Sequence, residues 1–168
     1  LENEDEVDSE FAIAFPDDGA KKRFGSKFPE YPHIVISKQR LGEQRLCRIQ
    51  DGNPKGKHVI LVDDMVQSGG TLLESITCLV QGGATKVSCY VTHAVFPGES
   101  WRKFLPETLG KICSCFDTFY VCDTIPTTRD VLEKVGKPFK VLSIAPLVGY
   151  LLVGRVPGNL VMREQDKL

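Results

Sequence analysis

The chain has 168 residues, the size of one domain, with 42% apolar and 26% charged residues, an ordinary balance for a globular protein. Its 21 basic and 22 acidic residues leave a net charge of −1, which gives no electrostatic reason to expect nucleic acid or an anionic membrane as a partner. There is no signal-peptide pattern and no apolar run of membrane-spanning length.

The chain opens without Met on an acidic stretch, so a piece of a longer protein is expected. Residues 1–10 are expected to be disordered, 11–154 to form the domain and 155–168 to be a tail. Phe11 to Phe15 (FAIAF) reads as a strand, and PDDGAKKRF as a turn into a short helix. His33 to Ser37 is a second strand. Lys38 to Lys57, polar and glycine-bearing, is a long loop or an extended hairpin. Val59 to Val62 is continuously apolar and β-branched, as expected of a parallel strand covered on both faces. Leu72, Leu73, Ile76, Leu79 and Val80 share a helical face, and Gly82 and Gly83 end that helix. Then follow a strand (87–95), a short helix (100–104), a strand (119–122), a helix (127–135), a strand (141–144) and a last helix (146–152). Strands alternating with helices predict a three-layer α/β sandwich with a mainly parallel central sheet.

Asp63 and Asp64 directly follow the buried strand. Ligands of open α/β sheets bind beyond the carboxyl ends of the strands. Two adjacent carboxylates there cannot both enter the core unpaired. They must face solvent, a metal or a ligand rich in hydroxyls. Gln67, Ser68, Gly69, Gly70 and Thr71 then lead into a helix. Glycines let the backbone approach a ligand, and the exposed N–H groups with the helix dipole favour phosphate. Carboxylates followed by a phosphate cradle suit a sugar phosphate. The plainer alternative is that Thr71-x-x-Glu74 is a capping box and the glycines only make a tight turn. That leaves the paired aspartates unexplained. No Walker A loop or dinucleotide fingerprint is present.

VILVDDMVQSGGT resembles the ribose-5-phosphate loop shared by type I phosphoribosyltransferases and phosphoribosyl pyrophosphate (PRPP) synthetases. FPDDGAKKRF (15–24), ISKQR (36–40) and YVTHAVFPGESWRKF (90–104) resemble the C-terminal half of the synthetases, nearest their plant-like class II branch. The resemblance implies a type I phosphoribosyltransferase-like fold and a ribose-phosphate diphosphokinase, which moves a diphosphoryl group from ATP to the 1-hydroxyl of ribose 5-phosphate with Mg2+. It implies that Asp63 and Asp64 hold the ribose hydroxyls, and that Gln67, Ser68, Gly69, Gly70 and Thr71 cradle the 5-phosphate. It implies Asp17 at magnesium, and Lys38 and Arg40 as a catalytic pair on a mobile loop. Gln67 stands where many members are acidic, and Gln39 separates the two loop cations. The resemblance also implies that a first domain carries most of the nucleotide site, that this chain lacks it, and that the whole enzyme is a homo-oligomer.

Other readings compete. Lys38 and Arg40 could be solvated charges, and Asp17 a helix N-cap. A non-catalytic, synthetase-associated regulatory subunit would be expected to lose Lys38 and Arg40, which are retained. A phosphoribosyltransferase would need a segment covering its base, for which the N-terminal sequence leaves little room. His93 and His58 read as structural, Trp101 and Phe104 as packing residues, and Arg129 as either a cap or a phosphate contact. The six cysteines make no C-x-x-C pair, and a reduced, cytoplasmic setting is expected.

Overall fold

The computed structural model describes residues 10–41 and 44–153, without the side chains of 38–41 and 44–46. The expected disordered segment and tail, apart from Glu10, lie outside the described residues. Glu10 itself accepts the backbone N–H of His58 at 2.9 Å.

A seven-stranded sheet runs in the order β3-β2-β1-β4-β5-β6-β7. Its strands are β1 (Phe11–Phe15), β2 (His33–Leu41), β3 (Gln44–Asp51), β4 (His58–Val66), β5 (Lys86–Ala94), β6 (Phe116–Cys122) and β7 (Phe139–Leu142). Among the described strands only the β2–β3 pairing is antiparallel. The expected fold class is what forms.

From β1 the chain moves to β2 on one side; from β4 it moves through β5 and β6 to β7 on the other. Right-handed crossovers therefore place the first helix on one face and the later ones on the opposite face. Helix α1 (Asp18–Phe24) buries Ala20 against Ile13, Phe15 and Val62. Helix α2 (Gly70–Gln81) brings Leu72, Ile76 and Leu79 to Val59, Leu61, Val87 and Cys89 on the other face. Successive β4 residues thus enter different cores, which is why VILV is apolar without alternation. The short α3 (Pro106–Leu109), then α4 (Pro126–Val135) and α5 (Ala145–Val153), complete the helices. Phe96, Trp101, Phe104, Phe119 and Phe139 form an aromatic cluster on the α2 face, so Trp101 and Phe104 pack as expected.

Several boundaries differ from the sequence reading: β6 begins at Phe116 rather than 119, β7 is Phe139–Leu142 rather than 141–144, and two further differences bear on the site. The segment 38–57 is the hairpin alternative: β2 continues to Leu41 and β3 returns beside it. And β4 does not stop at Val62. It keeps pairing with β5 through Met65–His93 and Val66–Ala94, while its ladder with β1 ends at Ala14–Leu61. The two aspartates are therefore strand residues rather than loop residues. Their strand outruns its neighbour, so one edge is open to a ligand.

Candidate functional site

The order of strands reverses between β1 and β4, and a doubly wound sheet opens its binding crevice at such a point. Asp17 leaves β1 there and Asp63 and Asp64 stand at the end of β4. The Asp63 side chain is 15% exposed and that of Asp64 52%. Alternation along the strand separates them. Asp63 lies on the cavity side, and the backbone N–H of Asp64 donates to Asp63 Oδ1 at 2.9 Å. Burial pushes the Asp63 carboxyl up to about 6, and the nearby carboxylates of Asp64 and Asp17 add to the rise.

Met65, Val66, Gln67, Ser68, Gly69, Gly70, Thr71 and Leu72 line a cavity of about 230 Å3 with Asp63. Every residue expected in the cradle is brought together; Asp64 stands at its edge, outside that lining. Gly69 caps α2 from the left-handed region (φ 79°), and no side chain caps the helix. The capping-box reading of Thr71 and Glu74 is thus overturned: the helix starts at Gly70, one residue before the supposed box, and Thr71 is an exposed residue of its first turn. A Cβ on Gly69 would lie 2.6 Å from the Phe104 ring, so the fold itself requires glycine there. At Gly70 a Cβ would meet nothing within 4 Å. The fold has no steric need for that glycine, whereas an anion approaching the first N–H groups of α2 does.

Two cations not singled out in the sequence complete the surroundings. Arg23, in the last turn of α1, reaches Asp63 Oδ1 at 3.6 Å and Asp64 Oδ1 at 3.5 Å. It is half exposed and loosely held, so it offsets little of the burial of Asp63. Lys103 donates from Nζ to the Ser68 carbonyl at 2.9 Å and holds the outside of the cradle. Both roles depend on tertiary contacts with no local signal; Lys103 lies in the segment WRKF only as one of several charges.

Asp17 is the N-cap of α1, its Oδ1 accepting the Ala20 N–H at 2.8 Å. Among the described residues no group of three His, Cys, Asp or Glu side chains is placed to hold a metal. A magnesium ion fits here only where substrate oxygens complete its shell beside one or two carboxylates, which is the usual habit of that ion. Lys38 and Arg40 lie on β2 opposite Cys47 and Arg45, and their side chains fall outside the described residues.

The remaining candidates have structural partners. His93 Nδ1 meets Thr124 Oγ1 at 2.9 Å, and Thr124 in turn donates to the Thr92 carbonyl, so His93 Nδ1 is the donor. His58 meets Ser88 at 2.9 Å. Arg129 pairs with Asp130 and touches no cradle residue. All six cysteines are thiols, and no described helix is long and apolar enough to cross a membrane.

A crevice at the switch point, two strand-end aspartates and a glycine-led helix define a class. The family model for the phosphoribosyl transferase domain matches residues 5–104, and the chain belongs to that family. Within it, the chain is 48% identical over 133 residues to ribose-phosphate pyrophosphokinase 3, chloroplastic, of Oryza sativa subsp. japonica, covering 79% of this chain and 32% of that protein. It is 47% identical over 133 residues to ribose-phosphate pyrophosphokinase 4 of Arabidopsis thaliana, covering 79% and 39%. The phosphoribosylpyrophosphate synthetase of Mycobacterium smegmatis superposes with a TM-score of 0.64 at 30% identity, over 86% of this chain and 44% of that one. The chain therefore spans about a third of the length of the rice relative and two fifths of the Arabidopsis one.

Proposed function

We propose that this chain is the C-terminal, ribose-5-phosphate-binding domain of a PRPP synthetase. In the whole enzyme the 1-hydroxyl of ribose 5-phosphate takes the diphosphoryl group of ATP, giving PRPP and AMP. The observation that carries the reading is the cavity shared by Asp63 and the 67–71 turn, with Gly70 open where the fold has no need of glycine. Asp63 and Asp64 accept hydrogen bonds from the ribose hydroxyls, displacing Arg23. The N–H groups of Gly69, Gly70 and Thr71 and the hydroxyls of Ser68 and Thr71 take the 5-phosphate, with Gln67 beside them. Lys103 keeps the Ser68 carbonyl turned away from the anion.

Phosphoryl transfer is mainly positioning and charge neutralisation. Lys38 and Arg40, on the β2–β3 hairpin, supply cations to the transferring group. Mg2+, held by Asp17 together with substrate oxygens, would neutralise phosphate charge when bound. ATP is the co-substrate, bound mainly by the part of the enzyme outside this chain. Exposed Leu147, Leu151 and Leu152 on α5 support a homo-oligomer of the whole enzyme. The thiols support a reducing compartment, read from sequence as the cytoplasm, although the rice relative is named chloroplastic.

Isothermal titration calorimetry of ribose 5-phosphate tests the reading. The folded chain should bind it, and D63N/D64N should lose at least tenfold in affinity. A folded wild-type chain that gives no binding heat refutes it.

A further inference from the structure

Among the described residues, Cys47 and Cys78 are the cysteines whose thiols meet. Cys122 instead lies 3.3 Å from the Tyr90 hydroxyl, and Cys115 lies beside Ser114. Cys47 sits on β3 and Cys78 on α2, where the helix packs across the hairpin. The Cys78 thiol hydrogen-bonds to the Cys47 sulfur, and the Ile49 N–H points to the Cys78 sulfur. Strand alternation puts Cys47 and Ile49 on the same face of β3. Both thiols line a cavity of about 490 Å3, which meets the aspartate-lined one at Gly70, with Glu74, Thr77, Gln81 and Lys103 on its walls. That volume admits a molecule the size of a short peptide.

The two sulfurs differ. Cys78 is buried, and the bond it gives to Cys47 together with that burial holds its proton well above the usual thiol range. Cys47 is half-buried and accepts that bond, so it is the sulfur that a reagent entering the cavity reaches first. The Lys103 ammonium and the Glu74 carboxylate stand on the walls of the same cavity.

We propose that Cys47 and Cys78 are a redox modification site, which closes to an intramolecular disulfide when a small-molecule disulfide enters this cavity. The Cys47 thiolate attacks one sulfur of the oxidant, forming a mixed disulfide and releasing one thiol. The Cys78 sulfur, giving its proton to solvent, then attacks the Cys47 sulfur and expels the second thiol. Two protein thiols are oxidised, and the small disulfide is reduced to two thiols. The new bond ties β3, opposite Lys38 in the ladder, to α2, whose first turn forms the cradle. Its consequence for catalysis rests on the function proposed above; its formation does not.

The test is to treat the folded chain with oxidised glutathione, alkylate in denaturant and map peptides by mass spectrometry. Expected are a loss of two hydrogens, four alkylated cysteines of the six, a cross-linked peptide pair carrying Cys47 and Cys78, and full reversal by dithiothreitol. C47S and C78S should each abolish the cross-link, and C113S should keep it. A lasting glutathione adduct on Cys47, a bridge between other cysteines, or six alkylated thiols overturns the proposal, whether or not either serine variant folds.

Discussion

At the scale of single residues, the site holds one carboxyl that the fold keeps at a disadvantage. Asp63 titrates near 6 in the folded chain against 3.8 for an ordinary aspartate, because it is buried beside two other carboxylates. The folded state therefore binds this proton more tightly than the unfolded one. Its contribution to stability is complete below pH 3.8 and is lost as pH rises through about 6. D63N keeps the acceptor for the Asp64 N–H but removes the charge. Urea unfolding at pH 7 should show D63N more stable than wild type by about 2 kcal/mol, with the difference shrinking toward pH 4. Equal stabilities at both pH values would contradict this account. The aspartate pair and the glycines were legible in the sequence because their chemistry is local: adjacent charges after an apolar run need a special reason. Arg23 and Lys103 were not, since an arginine on a short helix and a lysine in WRKF acquire their roles only when α1 meets β4 and the 97–104 segment meets Ser68.

At the scale of elements, the two glycines of the turn part company. G69A forces a left-handed backbone on alanine and drives its Cβ into Phe104, so it should cost at least about 2 kcal/mol in denaturant unfolding. G70A has room and begins a helix, so stability should hold or rise by up to about 1 kcal/mol while ribose 5-phosphate binding weakens. Equal binding by G70A and wild type would remove the argument from open space. The β2–β3 hairpin makes a separate prediction. In the whole enzyme, K38A and R40A should lower kcat by about 100-fold or more with ribose 5-phosphate affinity unchanged, as for other groups that act on developing charge. A change in affinity alone, with kcat intact, would move the pair from the transferring group to the sugar. Buried strands were readable as apolar runs. The edge strand β3 was readable only as one of two options, since QRLCRIQD covers one face and its polar residues match a loop equally well. The true end of β4 was hidden because DDMV reads as polar, yet it stays in the sheet through pairing with β5 alone.

At the scale of the molecule, the decisive fact is the switch point between β1 and β4. It brings Asp17, Asp63 and the 67–71 turn to one crevice from segments 46 residues apart, counting from Asp17 to Asp63 (63 − 17). Alternating strands and helices announced the layers. The strand order behind the crevice depends on which way each crossover leads along the sheet, which no local pattern displays. The most direct measurement is a crystal structure of the chain with ribose 5-phosphate. The phosphate should accept hydrogen bonds from the N–H groups of Gly69, Gly70 and Thr71, with ribose hydroxyls on Asp63 and Asp64 and Arg23 displaced. A sugar phosphate seated elsewhere, with the turn empty and Arg23 still on both aspartates, would contradict the account.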